Sequence, residues 1–319
     1  MDTIPLGKTD IQITPIIMGT WQAGKTMWTG IDDNDTIRAL RAAVDAGITT
    51  IDTATVYGNG HSERIIASAL GEVRSKVVYA TKVFANRLAY DQVIASCEQS
   101  LKDLGTDWID LYQIHWPAGA FGSKMVPVEE TMRALNDLKQ QGKIRAIGVS
   151  NFSGDQIAEA MKYGRIDSLQ PPYSLFWRHV EKDAVAFCRE NDITILAYSS
   201  MAQGILTGKF GPDHTFDKGD HRAGSRLFQP EMWSWVQAAL TRLRPIAERN
   251  GVSLGQLALA WVVAHENTCA IAGARSADQV RQNAAAGDVV LSVEDLSEMD
   301  AIGRSVTDHL DDNPVMWDF

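Results

Sequence analysis

Short apolar runs alternate along the chain with longer amphipathic stretches, and a glycine stands where several of those stretches stop. Between residues 35 and 46, Ile37, Leu40 and Val44 recur at helical spacing and Gly47 follows, which predicts a helix closed by a left-handed glycine. The same ending recurs at Gly105 after residues 93–104, at Gly142 after 128–141 and at Gly164 after 157–163. Helix starts are equally legible. Ser153 with Gln156, and Ser253 with Gln256, have the spacing of a capping box, in which each side chain satisfies the other residue's free backbone donor.

The apolar runs are mostly continuous, as in parallel strands covered on both faces. They fall at 16–20, 49–53, 77–82, 109–115, 144–150, 168–170, 193–198 and 269–273. Eight strands alternating with helices predict an α/β protein, a (β/α)8 TIM barrel. Residues 4–14 alternate loosely around Gly7 and Asp10 and predict an N-terminal hairpin that plugs one end of the barrel. Extended loops are expected on the C-terminal face, chiefly the polar segment 208–227 after the seventh strand and the tail 306–319, since long loops on such a frame act as lids. Asp308, Asp311 and Asp312 read as a solvated tail. No linker or low-complexity tract interrupts the pattern, so residues 1–319 are expected to form a single domain.

Composition narrows the choice of function. A length of 319 residues suits a barrel, which needs ~250 plus insertions, and 45% hydrophobic with 22% charged residues is ordinary for a globular chain. The formal charge of −10 opposes binding to a phosphate backbone or an anionic membrane, so neither nucleic acid nor membrane is an expected partner. Cys97, Cys188 and Cys269 match no metal or disulfide spacing and suit a reducing compartment; Cys97 falls on one helical face with Val93 and Leu101. His214 and His221 lack a third ligand, so no metal site is expected. Without a basic leader or a run of membrane-spanning length, the expected location is the cytoplasm. Nothing in the composition requires oligomerisation.

In a parallel barrel the strand-to-helix loops build the mouth, so chemistry gathers where strands end. Those ends carry Asp52, Lys82, His115, Ser150-Asn151, Gln170, Tyr198-Ser199-Ser200 and Gly273-Ala274-Arg275, with Tyr57 following Asp52 closely. An isolated phenol titrates near ~10 and is a poor acid at neutral pH. At an effective dielectric of ~20, a unit charge pair ~4 Å apart interacts by about 4 kcal/mol, so a nearby ammonium is expected to pull the Tyr57 pKa down by a few units. Lys82 is the candidate cation, Asp52 would keep it charged and fixed, and His115 would orient a carbonyl oxygen or relay the proton. Singly, each has an ordinary structural reading as a turn residue, a solvated lysine or a core histidine; together at neighbouring strand ends they form a proton donor with its tuning set. Gly58-Asn59-Gly60-His61-Ser62-Glu63 begins like a dinucleotide fingerprint but has Glu63 in place of the third glycine, and reads as a loop and helix start. Trp21, Trp116 and Phe152 flank strand ends and are expected to line a substrate pocket.

These residues resemble the aldo-keto reductase superfamily over essentially the whole chain. The signature Asp-Thr-Ala-x-x-Tyr-Gly stands intact at Asp52 to Gly58, and the family's Lys and His match Lys82 and His115. The likeness continues at Gly19-Thr20-Trp21, Gly148 to Phe152, Gln170-Pro171, Ala197 to Ser199, Leu206 to Lys209, and Gly273 to Arg275 with Gln279, Gln282 and Asn283. The resemblance implies carbonyl reduction of a small-molecule substrate with Tyr57 as general acid and hydride from the nicotinamide of NADPH. It assigns Ser150, Asn151 and Gln170 to the carboxamide and Tyr198 to stacking on the nicotinamide. Ser199, Ser200 and the loop from Gln203 and Gly204 through Leu206, Gly208 and Lys209 would meet the pyrophosphate, and Gly19, Thr20 and Trp21 would also contact the cofactor. Arg275 would take the 2′-phosphate, with Gln279, Gln282 and Asn283 near the adenine, which favours NADPH over NADH.

Long-chain members with a polar insertion after Leu-x-Gly-Lys, including the potassium-channel beta-subunit group and bacterial reductases, resemble the chain better than the shorter aldose-reductase type. In the latter the basic residue for the phosphate would fall at Gly273, so that role passes to Arg275 or the loop around Lys209. The likeness to channel subunits leaves open a cofactor-sensing regulatory subunit with slow residual chemistry. A Schiff-base enzyme using Lys82 would need that amine neutral, against the nearby Asp52.

Overall fold

The structure is a computed structural model and describes residues 1–26 and 28–316. Two short antiparallel strands, β1 (Ile4–Pro5) and β2 (Gln12–Ile13), precede eight parallel strands. These are β3 (Ile16–Gly19), β4 (Thr50–Asp52), β5 (Val78–Val83), β6 (Ile109–Ile114), β7 (Ile144–Ser150), β8 (Ser168–Gln170), β9 (Thr194–Ala197) and β10 (Thr268–Gly273). They pair in sequence, and β10 closes on β3, giving the predicted TIM barrel.

Helices α1 (Asp33–Asp45), α2 (His61–Leu70), α3 (Tyr90–Leu104), α4 (Val128–Gln140) and α5 (Gly154–Met161) follow the strands β3 to β7. Short helices α6 (Val180–Asp183) and α7 (Val185–Glu190) follow β8; α8 (Pro230–Arg249) and α9 (Leu254–Val263) separate β9 from β10; α10 (Ala277–Ala286) and α11 (Val293–Thr307) complete the coat. Both capping boxes form, at Ser153 and Ser253. Gly47 and Gly105 take the left-handed geometry that ends α1 and α3, as does Gly142 after α4. Gly164 does not: α5 already stops at Met161, because the Lys162 N–H turns back onto the Glu159 and Ala160 carbonyls.

The barrel interior is divided in two. At the N-terminal end, Leu6, Ile11 and Ile13 of the hairpin pack on Ile17, Leu111, Leu196 and Ile271, so the hairpin is a hydrophobic plug. Towards the other end the inward residues become polar, and the register places Asp52 opposite Gly19, Lys82 opposite Gln113, and Ser150 opposite Gln170. The tail is docked. Trp177 Nε1 donates to the Pro314 carbonyl (3.1 Å), the Met316 carbonyl accepts from the Arg226 N–H (3.2 Å), and Asp311 pairs with Arg226. Of the expected solvated acids, Asp312 stays exposed in its 3.3 Å pair with Lys182; residues 317–319 lie outside the described residues. Among the described residues no helix is long and apolar enough to cross a membrane, and no cluster of three or more His, Cys, Asp or Glu could hold a metal ion.

Candidate active site

The site begins with a charge that the barrel cannot leave alone. Asp52 ends β4 inside the wall, where an unpaired carboxylate would be costly. Its Oδ1 accepts from Lys82 Nζ at 2.7 Å, and its Oδ2 accepts from Gln170 Nε2 at 2.8 Å and from Gln113 Nε2 at 3.4 Å. Lys82 has no exposed surface and donates a second bond to the Thr53 carbonyl at 2.7 Å. Room for the Gln113 amide comes from Gly148 across the ladder: a Cβ there would stand 2.9 Å from Gln113 Cγ and 2.3 Å from Ser168 Oγ. Gln113 was not singled out in the sequence, although a polar residue at an inward position of an apolar strand was a signal for it.

Tyr57 projects from the turn after β4. Lys82 Nζ lies 5.3 Å from its ring centroid, His115 meets it edge-on at 5.9 Å, and Trp21 lies at 6.4 Å. The turn is held by a close backbone approach: a Cβ on Gly24 would stand 2.5 Å from the Tyr57 carbonyl carbon, and one on Gly58 would stand 2.4 Å from the Gly24 oxygen. Gly58 also has φ +66. Among the described residues the Tyr57 hydroxyl makes no hydrogen bond, so the protein commits neither its proton nor its lone pairs.

The charge balance differs from the expectation in one respect. Burial, with the Asp52 carboxylate and Tyr198 acting in the same sense, holds the Tyr57 phenol well above its ordinary 10 rather than below it. Lys82 is already neutralised by Asp52, so the resting phenol gains little from the ammonium. Burial presses the Lys82 pKa down while Asp52 pushes back. His115 is held well below 6.5 by burial and by Lys82, so it is a neutral imidazole, and its buried Nδ1 has no partner among the described residues.

One strand along the rim, a polar chain ties His115 to Tyr198. Asn151, in the left-handed region at φ 61, donates from Nδ2 to the His115 carbonyl and to Ser150 Oγ, both at 3.0 Å. Its Oδ1 accepts from the Tyr198 hydroxyl at 2.8 Å, and Ser150 Oγ donates to the Gln170 carbonyl at 2.7 Å. From there a continuous cleft of about 1310 Å³ runs to Arg275, Gln279, Gln282 and Asn283. Its far end collects cations. Arg222 pairs with Asp220 at 2.8 Å, whereas Lys209 and Arg275 meet no carboxylate among the described residues. Burial, then Arg222, lowers the pKa of both. The loop after β9 adopts left-handed backbone at Ser199, Ala202, Gln203 and Gly204, and both amide atoms of Gln203 are buried without a partner among the described residues.

A cleft with orphaned amide and cationic groups at one end and an uncommitted phenol at the other suits an elongated anion that brings a flat ring to the barrel mouth. Residues 15–304 match the family described as aldo/keto reductase. The chain belongs to that family. The NADH-specific methylglyoxal reductase of Escherichia coli is 35% identical over 321 residues, covering 94% of this chain and 97% of the relative. The glycerol dehydrogenase of Gluconobacter oxydans superposes with a TM-score of 0.88 at 35% identity, over 97% of this chain and 98% of that one. An aldo-keto reductase of Klebsiella pneumoniae, solved in complex with NADPH, superposes at 0.77 with 29% identity, over 100% of this chain and 99% of that one.

In this aldo-keto reductase most of the sequence-predicted residues line the one cleft: Gly19, Thr20 and Trp21; Asp52, Tyr57, His115 and Trp116; Ser150, Asn151 and Gln170; Tyr198, Ser199 and Ser200; Gln203, Gly204 and Lys209; and Gly273 to Asn283 at the cationic end. Lys82 lies beneath it. Phe152, expected to line the substrate pocket, is instead buried in the core, as is Leu206, expected to contact the cofactor. Gly208 also lies away from the lining and closes a short turn at φ 69. Sequence reasoning missed Gln22, whose Nε2 donates to the Ala274 carbonyl at 3.0 Å. It also missed Phe84, edge-on to His115 at 5.5 Å, and Phe121, stacked on Phe84 at 5.4 Å. Trp28 and the insertion's His221 were missed as a pair, their rings 4.6 Å apart beside Trp21. The insertion thus sets His221 against Trp21 and Trp28 at the cleft.

Proposed function

We propose that this chain reduces an aldehyde or ketone group of a small molecule to the alcohol, with Tyr57 as general acid and NADPH as the preferred dinucleotide. The single observation that carries the reading is the uncommitted Tyr57 hydroxyl lining the cleft beside a buried Lys82–Asp52 pair and a neutral His115. When bound, the dinucleotide supplies a hydride to the carbonyl carbon. The chain's own residues supply the rest. Tyr57 gives its proton to the carbonyl oxygen, and the phenolate then forming meets the Lys82 ammonium; this attraction, weak in the neutral resting phenol, grows as charge develops. His115, uncharged, offers a ring N–H to the same oxygen without competing as an acid.

Ser150, Asn151 and Gln170 are the residues we assign to the carboxamide, and Tyr198 to the face of the ring. The cationic end fits a phosphorylated ligand: among the described residues the Gln203 amide has no hydrogen-bond partner, and neither Lys209 nor Arg275 pairs with a carboxylate. Arg275 is the residue we assign to the 2′-phosphate that distinguishes NADPH from NADH. Turnover by Tyr57→Phe with a reactive aromatic aldehyde is expected to fall by roughly 10²–10⁴-fold while NADPH binding, read by fluorescence, persists. Retained turnover would remove Tyr57 from its role.

A further inference from the structure

Glu63 is a buried acid that the reaction as described leaves unused. It is the third residue of α2 and has no exposed surface. Its Oε1 accepts from Thr81 Oγ1 at 2.7 Å, and its Oε2 has no hydrogen-bond partner among the described residues. Thr81 precedes Lys82 on β5, and alternation along the strand turns Thr81 towards the helices while Lys82 points into the barrel. A second contact comes from the same side: Thr55 Oγ1 donates to the Lys82 carbonyl at 3.1 Å and shares a hydrogen bond with Ser100 Oγ at 3.1 Å. A polar layer therefore lies directly behind the wall that carries Lys82, between α2, α3 and β5.

The groups facing Glu63 are Arg64 from its own helix, Cys97 and Asp103 from α3, Lys82 from β5 and Tyr112 from β6. Arg64 is engaged by Asp103 at 3.2 Å near the surface. Burial keeps the Cys97 thiol and the Tyr112 phenol neutral. That leaves Lys82, on the opposite face of β5, as the buried cation whose charge this carboxylate favours, with the first turn of α2 as its other favourable field.

We infer that Glu63 is a positioning residue for carbonyl reduction, a second counter-charge that acts on Lys82 through the barrel wall and keeps the ammonium charged beside Tyr57. The inference rests on the reading of Tyr57 and Lys82 as acid and tuning cation. Burial raises the Glu63 pKa while its hydrogen bonds from Thr81 and Ser100 favour the charged form, and the inference requires that charge to be in place below the pH at which the Tyr57–Lys82 couple titrates.

The test is the pH profile of kcat/KM. Glu63→Gln keeps the shape and removes the charge, and is expected to move the alkaline limb down by about one pH unit, because an anion near the couple has been lost. Thr81→Val keeps the carboxyl and removes a donor that favours its charged form, so its limb should move in the same direction and less far. A Glu63→Gln profile that superimposes on the wild type, or a Thr81→Val shift larger than that of Glu63→Gln, overturns the inference in favour of plain packing. Should Glu63→Gln fail to fold, infrared spectroscopy of the wild type carries the test. The protonated-carboxyl band that responds to Thr81→Val must vanish at a pH below the limb, and its persistence above the limb refutes the inference. Failure of the underlying reading is distinct, since it would appear as retained turnover in Tyr57→Phe.

Discussion

Replacing Lys82 by Met removes the ammonium and leaves the Asp52 carboxylate inside the wall. The Nζ to Oδ1 separation is 2.7 Å, with 0% and 5% of the two side chains exposed. At an effective dielectric of ~20, unit charges at that distance attract by about 6 kcal/mol, and the orphaned ion must also bear its own desolvation. Gln170 Nε2 at 2.8 Å and Gln113 Nε2 at 3.4 Å remain as donors to Asp52 and soften the loss. We therefore expect Lys82→Met to lose about 3 kcal/mol near neutral pH, the low end for breaking a buried pair. The loss must depend on pH in a fixed sense. Without Lys82 the buried carboxylate has no counter-charge, so the variant is least impaired where acid neutralises that charge and loses more stability as pH climbs. Urea unfolding at about pH 5 and about pH 8 reads the difference, which should be larger at the higher pH. The double variant Asp52→Asn with Lys82→Met should be more stable than Lys82→Met alone, because no charge is stranded. A deficit under about 1 kcal/mol, a deficit equal at both pH values, or additive losses in the double variant would refute the reasoning.

Two further variants probe the ends of the cleft. His115 is held well below 6.5 in the folded protein, so it contributes stability that is complete above the unfolded pKa and is lost as pH falls through the folded one. His115→Gln lacks that term, and its Tm should decline less than the wild type's on acidification from neutrality; parallel declines would contradict it. Arg275→Gln should raise KM for NADPH by roughly 10–100-fold, the worth of a charge-assisted contact, and leave KM for NADH nearly unchanged. Equal changes for the two dinucleotides would place the 2′-phosphate elsewhere.

The elements that were legible in the chain are those for which one local force dominates. Strands buried on both faces need unbroken apolar runs, which is why the eight at the barrel wall, Ile16–Gly19 through Thr268–Gly273, stand out from their loops. Asp52, Lys82 and His115 were visible because each breaks such a run at its end. What escaped depends on direction. Phe152 follows the same strand end as Asn151, but the left-handed turn at Asn151 sends the next side chain into the core and away from the mouth. Trp28 and His221 are far apart in the chain, and no local pattern announces that their rings meet across the cleft. Gln113 sits in a strand whose other inward residue, Leu111, is apolar, and its purpose emerges only once the closed barrel brings Asp52 beside it.

The reversed expectation for Tyr57 has a similar origin, and it bears on how the site works. Sequence names the neighbouring charges but not how they are shared. Asp52 binds Lys82 so closely that the phenol faces a nearly neutral pair, and burial then dominates its resting pKa. An acid tuned low at rest would stand partly ionised and would have no proton to give. A phenol kept firmly protonated, beside an ammonium whose attraction appears only as negative charge develops, is stable before the reaction and favoured during it. With Tyr57 as acid, as proposed above, the same Asp52 that makes Lys82 tolerable inside the barrel would withhold that cation from Tyr57 until the phenolate forms. On this account, the stability of the wall and the timing of proton transfer are set by one carboxylate.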